Sequence, residues 1–370
     1  MLLGPGPANV DPRVLQSMSS GLVGHLDPYF IEKMEQIKNL LRYIWQTSNE
    51  VILPMSGTGS CAMEASLANL VEPGDTVLIA INGYFGERLA EMASRYGANV
   101  IPYKRKWGTA FTFNELETKI REVRPTIFAI VHAETSTGVL QPMEGLGEVC
   151  KKNGSLLLVD TVTSLGGVPV YVDKWGIDAC YSGSQKCLGA PPGLSPLTFS
   201  PRAMEKIKNR KTKIATWYMD ITLIHSYWAT GTRAYHHTAP ISMNWSLFEA
   251  LSIIQEEGLE KRWNRHITNA KYLWEGLKNL GLELLVDESI RLPVLTTVKI
   301  PSHIDGTEVI KYLRNKHHIE ISGGLGEYKG KAWRIGLMGY NAQPHNVDKL
   351  LGALKDTFQA LSPDNQKAKL

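Results

Sequence analysis

The sequence predicts an α/β fold built on a mostly parallel sheet, followed by a smaller C-terminal α+β domain. Between residue 51 and about residue 200, short β-branched runs alternate with segments of helical periodicity, the pattern of successive βαβ units. Beyond residue 240 the pattern changes to one long amphipathic stretch and then to a β, α, β, β, α order. The 370 residues also exceed the usual size of one domain, so two domains are expected.

The first domain is expected to alternate strands with helices. Each predicted strand is a short apolar run, and each predicted helix has apolar residues at helical spacing. Strands are predicted at 76–82, 99–103, 126–132, 155–160, 177–182 and 195–200. Helices are predicted at 61–71, 86–96, 114–122 and 143–153. In such a sheet, residues that contact a ligand lie where the strands end, at their carboxyl edges.

The C-terminal part begins with the amphipathic helical stretch at 242–281, which has one break near Glu257 and Gly258. Shorter elements of both kinds follow this stretch. They are predicted as strands at 292–300, 319–322 and 333–337 and as helices at 307–316 and 346–360. We therefore place a domain boundary near residue 258, with a large domain at 16–258 and a small domain at 259–370.

Composition argues against several classes of partner. The 40 basic and 36 acidic residues are scattered along the chain, so no nucleic-acid partner is expected. No apolar run approaches the ~20 residues of a membrane-spanning helix, so no membrane partner is expected either. Four cysteines without a C-x-x-C pair favour a reducing, cytoplasmic location. The C-terminal Ala368-Lys369-Leu370 varies the Ser-Lys-Leu peroxisomal address and gives the alternative location.

Three features of the first domain could carry chemistry. The run Ser56-Gly-Thr-Gly-Ser60 precedes a predicted helix, where free amides and glycines form a phosphate cradle or merely a helix cap. Asp160 ends a buried strand, where a carboxylate pairs with a cation, either a pyridinium nitrogen or a nearby side chain. Lys186 lies in a loop of small residues, where it is either a Schiff-base lysine or an ordinary surface lysine. Together, the three features match the phosphate, the ring nitrogen and the aldehyde of pyridoxal 5′-phosphate.

Seven motifs extend this match over nearly the whole chain, and together they are highly specific. They are Leu3-Gly-Pro-Gly-Pro7, Ser56-Gly-Thr-Gly-Ser60, Glu134-Thr-Ser-Thr-Gly-Val-Leu-Gln-Pro142, Asp160 with Ser164-Leu-Gly-Gly167, Ser182-Gly-Ser-Gln-Lys186 with Ala190-Pro-Pro-Gly193, Tyr235-His-His-Thr238 and Arg334-Ile-Gly-Leu337. With these motifs the chain resembles the alanine–glyoxylate and serine–pyruvate aminotransferases. These are class V members of the fold-type I enzymes that depend on pyridoxal phosphate.

The resemblance implies a role for each matching residue. Lys186 would hold the cofactor as a Schiff base and then move a proton at the substrate α-carbon, and Asp160 would keep the ring nitrogen protonated. Other residues would contact the phosphate, the phenolic edge or the ring faces. The phosphate would be held by Thr58, Gly59, Ser60 and Gln185. Thr135 would lie near the phenolic edge, and the two ring faces would be covered by Val162 and Phe85. The resemblance also implies a homodimer, because Tyr235 and Thr238 would reach the phosphate in the neighbouring subunit.

The sequence departs from this family at two positions. Phe85 stands where relatives have tryptophan, and it is expected to stack on the ring with less contact area. Ser60 stands where several relatives have histidine, which leaves the contribution of its side chain open.

The substrate site is predicted from the same resemblance. Arg334 is the candidate for the substrate carboxylate, because a guanidinium grips a carboxylate through two parallel hydrogen bonds. No second arginine matches a site for a side-chain carboxylate, and Arg233 is the one to examine. The N-terminal segment 1–15, through Gly4-Pro-Gly6, is expected to cross the site mouth and limit the size of the substrate.

The implied reaction is ping-pong transamination from alanine or serine to glyoxylate or pyruvate. Phosphoserine and 3-hydroxykynurenine aminotransferases are alternatives, as is a non-catalytic relative that acts as an assembly subunit. A cysteine desulfurase is disfavoured because no cysteine follows Cys187. No metal site is expected, because adjacent histidines in the pairs His236-His237 and His317-His318 should point in opposite directions.

Overall fold

A seven-stranded sheet organises the first two thirds of the chain. The computed structural model describes residues 1–229, 231 and 233–362. The strands of this sheet are β1 (Val51–Ser56), β2 (Thr76–Ile81), β3 (Asn99–Lys104), β4 (Ile127–Val131), β7 (Leu156–Asp160), β8 (Ala179–Tyr181) and β9 (Leu194–Phe199), and a separate hairpin holds β5 (Ala133–Glu134) and β6 (Val139–Leu140). Their order across the sheet is β1-β9-β8-β7-β4-β2-β3.

The sheet is mostly parallel, which confirms the predicted fold class. Strands β3, β2, β4, β7 and β8 pair in parallel, whereas β9 runs antiparallel to both of its neighbours, β8 and β1. Parallel strands need crossover connections, and helices between the strands supply them. The helices up to residue 228 are α1 (Pro12–Ser17), α2 (Pro28–Trp45), α3 (Gly59–Leu70), α4 (Tyr84–Arg95), α5 (Phe113–Val123), α6 (Leu146–Lys152), α7 (Pro201–Lys208) and α8 (Ile221–Trp228).

Both faces of the sheet are buried. Along β4, Ile127, Ala129 and Val131 lie in one apolar cluster, and Phe128 and Ile130 lie in the other. Successive side chains of a strand point to opposite faces, so this alternation shows that a core lies on each side of the sheet. Strands buried on two faces are apolar almost throughout, which explains why they stand out in the sequence.

The C-terminal part contains a smaller antiparallel sheet. Its strands are β10 (Leu295–Lys299), β11 (Ser322–Gly323) and β12 (Ala332–Gly336), in the order β10-β12-β11. The helices are α9 (Ile241–Glu257), α10 (Leu259–Asn279), α11 (Gly306–His317) and α12 (Pro344–Ala360). Helix α9 gives way to α10 at Gly258, where φ is +81°, so the predicted break in the amphipathic stretch is confirmed. The domain boundary placed there stays a prediction.

The N-terminal segment joins the small sheet to the lysine loop. The Leu3 N–H donates to the Glu320 carbonyl at 2.8 Å, and the Leu3 carbonyl accepts from the Gly336 N–H at 2.8 Å. Farther along, the Ala8 N–H donates to the Gln185 carbonyl at 3.1 Å. Leu3 is fully buried in the apolar cluster of the C-terminal part. Residues 3–8 therefore pass from the small sheet to the residue next to Lys186.

Several elements differ from the sequence prediction. Helices α1, α2, α7 and α8 are absent from it, although Asp27 before Pro28 is a recognised N-terminal signal for α2. The helix predicted at 143–153 begins only at Leu146, because Gly145 has φ +80° and precedes it as the cap. The strand predicted at 319–322 pairs only at Ser322–Gly323, after a single bridge between Glu320 and Leu2.

Two further points concern the membrane and the C-terminus. Within the described ranges, the structure has no helix with both the length and the apolar character required to cross a bilayer. The tripeptide 368–370, considered above as a peroxisomal address, lies outside the described residues.

Candidate active site

The predicted site residues gather at one edge of the large sheet. Thr58 follows β1, Asp160 ends β7 and Lys186 follows β8, while Thr135 follows β5, which comes directly after β4 in the chain. Strands β1, β4, β7 and β8 point the same way, because β9 between β1 and β8 is antiparallel to both. Their carboxyl ends therefore meet at a single edge, which is where ligands bind in open α/β sheets.

The N-terminus of α3 forms an anion cradle at this edge. Thr58 is the N-cap of α3, and its side chain makes no capping hydrogen bond. A Cβ on Gly59 would lie 3.4 Å from Val162 and 3.8 Å from the backbone of Gly183. The helix start therefore lies against the loops that follow β7 and β8, and its first amides carry the positive end of the helix dipole.

Gln185 provides a test of whether a ligand fits this cradle. Its Oε1 is buried and has no hydrogen-bond partner among the described residues. The same atom lies 2.8 Å from where a Cβ on Gly183 would be, so the amide occupies the space left by that glycine. A buried amide oxygen without a partner is costly, which indicates that the amide normally contacts a polar group that the chain does not supply. Toward a phosphate, whose oxygens accept hydrogen bonds, the amide would present its Nε2 donor.

Asp160 is a buried carboxylate held in one orientation. Its side chain accepts the Val162 N–H at 2.9 Å on Oδ1 and the Tyr181 hydroxyl at 3.0 Å on Oδ2. Burial raises its pKa to about 6, while these two hydrogen bonds and the charges of Lys186 and Arg88 act to lower it. A carboxylate with a pKa raised by burial gains from pairing with a cation, which a protonated ring nitrogen would provide.

Lys186 supplies an amine that is easily made neutral. Burial lowers its pKa to about 8, and the nearby positive charge of Arg334 lowers it as well, whereas Asp160 raises it. A lower pKa increases the fraction of neutral, nucleophilic amine near neutral pH. Lys186 therefore has the electrostatic properties of a Schiff-base lysine and not those of a solvated surface lysine.

The N-terminal segment contacts this amine directly. Nζ of Lys186 donates a hydrogen bond to the Pro5 carbonyl. Gly6 has φ +113°, and a Cβ there would lie 2.6 Å from Nζ of Lys186. Position 6 thus requires glycine both for its backbone conformation and for the space the lysine occupies. The structure places Gly6 over the Lys186 amine.

Arg334 on β12 reaches from the small sheet to the hairpin of β5 and β6. Its Nε donates to the Gly323 carbonyl at 2.9 Å, and its Nη1 donates to the Thr135 carbonyl at 3.3 Å. Among the described residues, no carboxylate lies within ion-pair distance of its guanidinium. The charge of Glu134 acts on Arg334 only from beyond contact, and a largely buried guanidinium without a contacting carboxylate fits a site for an anionic ligand. Thr135 in turn shares a hydrogen bond of 2.7 Å with Thr163 through their hydroxyls.

Phe85 lies at the start of α4, on the cradle side of the site. Arg88 covers its ring, with the guanidinium carbon 5.0 Å from the ring centroid. Arg88 also donates from Nη1 to the Ser60 hydroxyl at 3.1 Å. Arg88 is a functional candidate that the sequence analysis missed, and its place on α4, three residues after Phe85, is the signal that could have found it. The Ser60 side chain thus has a partner within the chain.

Glu134 is a second buried group without an assigned role. Burial raises its pKa to about 7 and the charge of Asp160 acts in the same direction, whereas hydrogen bonds from Ser136 lower it. The sequence contains Glu134 within a recognised motif, but no sequence pattern shows that its carboxylate turns inward.

Tyr235 and Thr238 stand apart from this cluster. Both are exposed, Tyr235 with 61% of its surface, and among the described residues neither side chain makes a hydrogen bond or ring contact with the cradle. Between them, His237 Nε2 lies 2.7 Å from the Ser56 hydroxyl at the end of β1. The segment therefore passes close to the cradle while the two predicted phosphate ligands face outward.

Two smaller expectations are tested by the same region. The expectation that adjacent histidines point apart is wrong for His236 and His237, because a bend brings their Nδ1 atoms to 2.8 Å. Arg233 pairs with Glu35 at 2.5 Å and donates to the Tyr227 carbonyl, so its charge is already compensated. Over the described ranges, no group of three or more His, Cys, Asp or Glu residues is arranged to hold a metal ion.

Comparison with known proteins agrees with this geometry. The family model described as aminotransferase class-V matches residues 2–350. The alanine–glyoxylate aminotransferase of Rattus norvegicus is 45% identical over 362 residues, which is 97% of this chain and 87% of the relative. The (S)-ureidoglycine–glyoxylate transaminase of Bacillus subtilis is 40% identical over 96% of this chain and 89% of its own length.

A solved structure extends the comparison to three dimensions. The alanine–glyoxylate aminotransferase from Nostoc sp. superposes with a TM-score of 0.95 at 55% identity, covering 96% of this chain and 94% of that chain. The family-model match, over residues 2–350, includes both sheets and every strand end that carries the site. This chain belongs to the aminotransferase class-V family.

Proposed function

We propose that this chain is a pyridoxal 5′-phosphate-dependent aminotransferase that moves an amino group from alanine or serine to glyoxylate or pyruvate. One observation carries the proposal. A buried lysine amine, a buried carboxylate and a helix N-terminus with a partnerless glutamine amide converge on one edge of the sheet. These are the groups that the aldehyde, the ring nitrogen and the phosphate of this cofactor require.

The residues of the site fit the cofactor as follows. The phosphate would be held by the backbone amides of Thr58, Gly59 and Ser60, together with the Gln185 side chain. These groups offer hydrogen-bond donors at the positive end of the α3 dipole, and no carboxylate among the described residues neutralises them. Val162 and Phe85 would flank the ring, and Thr135 would lie near its phenolic edge. When bound, the cofactor supplies an aldehyde that carries the amino group and a ring that withdraws electrons from the substrate α-carbon.

Three side chains of the protein would then perform the reaction. Lys186, with its lowered pKa, would hold the cofactor covalently and later accept and return a proton at the α-carbon. Asp160, fixed by Val162 and Tyr181, would keep a proton on the ring nitrogen through a charge-assisted hydrogen bond. Arg334 would bind the substrate carboxylate and so orient the α-carbon toward Lys186.

The proposed substrates are small for two reasons. Gly6 and the Pro5 carbonyl lie against the Lys186 amine, which narrows the space beside it. The mammalian and bacterial relatives compared above both carry glyoxylate in their names, which supports glyoxylate as the acceptor. Arg88 is a second cation of the site, but its contacts with Ser60 and Phe85 orient it toward the phosphate cradle.

We also propose a homodimer whose two active sites are shared. Tyr235 and Thr238 face outward, beside a cluster of exposed aromatic rings that includes Trp217, 62% exposed, and Tyr218. An exposed aromatic patch of this kind favours a protein interface. The two side chains would reach the phosphate cradle of the neighbouring subunit.

For the location we propose the cytoplasm, with the peroxisome as the alternative. All four cysteines are free thiols in the structure, which supports a reducing compartment.

The reaction itself is tested with a panel of amino donors and 2-oxo acid acceptors. Alanine with glyoxylate should yield pyruvate and glycine, and serine with pyruvate should also react, as measured by chromatography of the products. O-phosphoserine, 3-hydroxykynurenine and (S)-ureidoglycine serve as competing donors. Absence of transfer from both alanine and serine, whether or not a competing donor reacts, would contradict the proposal.

Replacing Arg334 with lysine should weaken substrate binding more than it affects the cofactor. Lysine keeps the charge but loses the two parallel hydrogen bonds of the guanidinium. The KM for alanine and for glyoxylate should rise roughly tenfold to a hundredfold, while the absorbance of the bound cofactor is preserved.

The control for this experiment is Arg202→Lys. Arg202 pairs with buried Asp178 beneath the opposite edge of the sheet, so this variant should lose stability but keep both KM values. Equal KM changes in the two variants would show that Arg334 has no specific role in binding.

Sharing of the active sites is tested by mixing two inactive variants. A dimer of one Lys186→Ala chain and one Tyr235→Ala/Thr238→Ala chain contains one intact site if these residues act across the interface. Random assortment should then restore about one quarter of the wild-type activity per active site.

A second mixture, Lys186→Ala with Asp160→Asn, is the control, because both residues serve the same chain's site and no intact site forms. If both mixtures show only the sum of their separate activities, the sites are not shared.

A further inference from the structure

Glu134 is a buried carboxylate that the proposed reaction does not use. It ends β5, next to Thr135, and only 1% of its surface is exposed. Both of its oxygens are occupied. Oε1 accepts the Ser136 N–H at 3.0 Å and the Ser136 hydroxyl at 2.6 Å, and Oε2 accepts the Phe85 N–H at 3.2 Å. A carboxylate that is buried with three donors is fixed in one orientation.

These contacts cap α4 from outside the helix. Gly83, the N-cap of α4, has no side chain with which to bind the free N–H groups of the first turn. The Ser136 hydroxyl accepts the N–H of Tyr84 at 3.0 Å, and Glu134 accepts that of Phe85. The first two amides of α4 are therefore held by the hairpin of β5 and β6.

Gly83 leaves the room that this contact needs. A Cβ at position 83 would lie 2.2 Å from Cγ of Glu134 and 2.6 Å from the Ser136 hydroxyl. The backbone at Gly83 is extended, so space, and not a left-handed conformation, requires glycine there. The start of α4 and the Glu134 carboxylate are therefore in direct contact, with no room for a side chain between them.

The held end of α4 is the end that faces the site. Phe85 is its second residue, and Arg88, one turn later, covers the Phe85 ring and donates to Ser60 of the phosphate cradle. Thr135, between Glu134 and Ser136, accepts a hydrogen bond from Arg334 through its carbonyl. The tripeptide 134–136 therefore connects α4 on one side of the site with Arg334 on the other.

We propose that Glu134 is a positioning residue that acts through α4. By accepting the Phe85 N–H, it fixes the Phe85 ring on the cofactor and Arg88 beside the phosphate cradle. This inference rests on the proposed function, because the group that Phe85 would contact is the cofactor. A cap that served stability alone would leave cofactor binding unchanged.

The test is Glu134→Gln, read by the Kd of pyridoxal 5′-phosphate and by the visible circular dichroism of the bound cofactor. Phe85 and Ser136 donate to different oxygens of the carboxylate, and glutamine replaces one of these oxygens with an NH₂ donor, so one of the two contacts is lost. The Kd should rise about tenfold, the size expected for one charge-assisted hydrogen bond, and the dichroic band should weaken.

Asp178→Asn is the matched control. Asp178 is also a buried carboxylate that accepts a backbone N–H, from Leu157 at 2.9 Å, but it precedes β8 and so lies at the opposite edge of the sheet. This variant should lose stability and keep the wild-type Kd. If Glu134→Gln also lowers stability and leaves the Kd unchanged, Glu134 is a structural cap and the inference is wrong.

A double-mutant cycle with Phe85→Ala tests the route through α4. If Glu134 acts by holding Phe85, Glu134→Gln should raise the Kd by a smaller factor in the Phe85→Ala protein than in the wild-type protein. Fully multiplicative effects would overturn the inference.

Ser136→Ala provides the same test if Glu134→Gln does not fold. It removes the acceptor for Tyr84 and one donor to Glu134, so the Kd should rise in the same direction by a smaller factor. An unchanged Kd in a folded Ser136→Ala protein would count against the inference. A wild-type protein that binds no pyridoxal 5′-phosphate would instead overturn the proposed function.

Discussion

The site depends on one topological constraint, the common direction of the strands that carry it. Because β1, β4, β7 and β8 all point the same way, the residues that follow them meet at one edge although 128 positions separate Thr58 from Lys186 in the chain. The apolar clusters on both faces hold these strands in place, so their ends are rigid. The loops after them can then carry polar residues without loss of alignment.

The electrostatics of the site follow from burial at this edge. Burial lowers the pKa of Lys186 to about 8 and raises that of Asp160 to about 6, so each group is displaced toward its neutral form. Such displaced pKa values cluster at functional sites because acid–base chemistry requires them. The N-terminal segment adds to this by placing the Pro5 carbonyl and Gly6 over the lysine amine, and it reaches there from the small sheet through Leu3.

The sequence predicted the elements whose signal is local. Buried parallel strands are apolar runs, and Lys186, Asp160 and the cradle come at or after the ends of such runs, so their position at the sheet edge could be predicted from the order of residues, whereas their roles came from the family resemblance. Glu134 and Arg88 were missed because their importance comes from contacts between separate elements, with Phe85 in one case and Ser60 in the other. The close approach of the His236 and His237 Nδ1 atoms likewise depends on a bend that no periodicity shows.

The central claim is that Lys186 is the residue that binds the cofactor covalently. Borohydride reduction of the protein with pyridoxal 5′-phosphate, followed by peptide mapping, tests it most directly. One modified peptide is expected, the one that contains Lys186, and no modification is expected in the Lys186→Ala variant. A reduced adduct on another lysine, or one that persists in Lys186→Ala at the wild-type level, would contradict it.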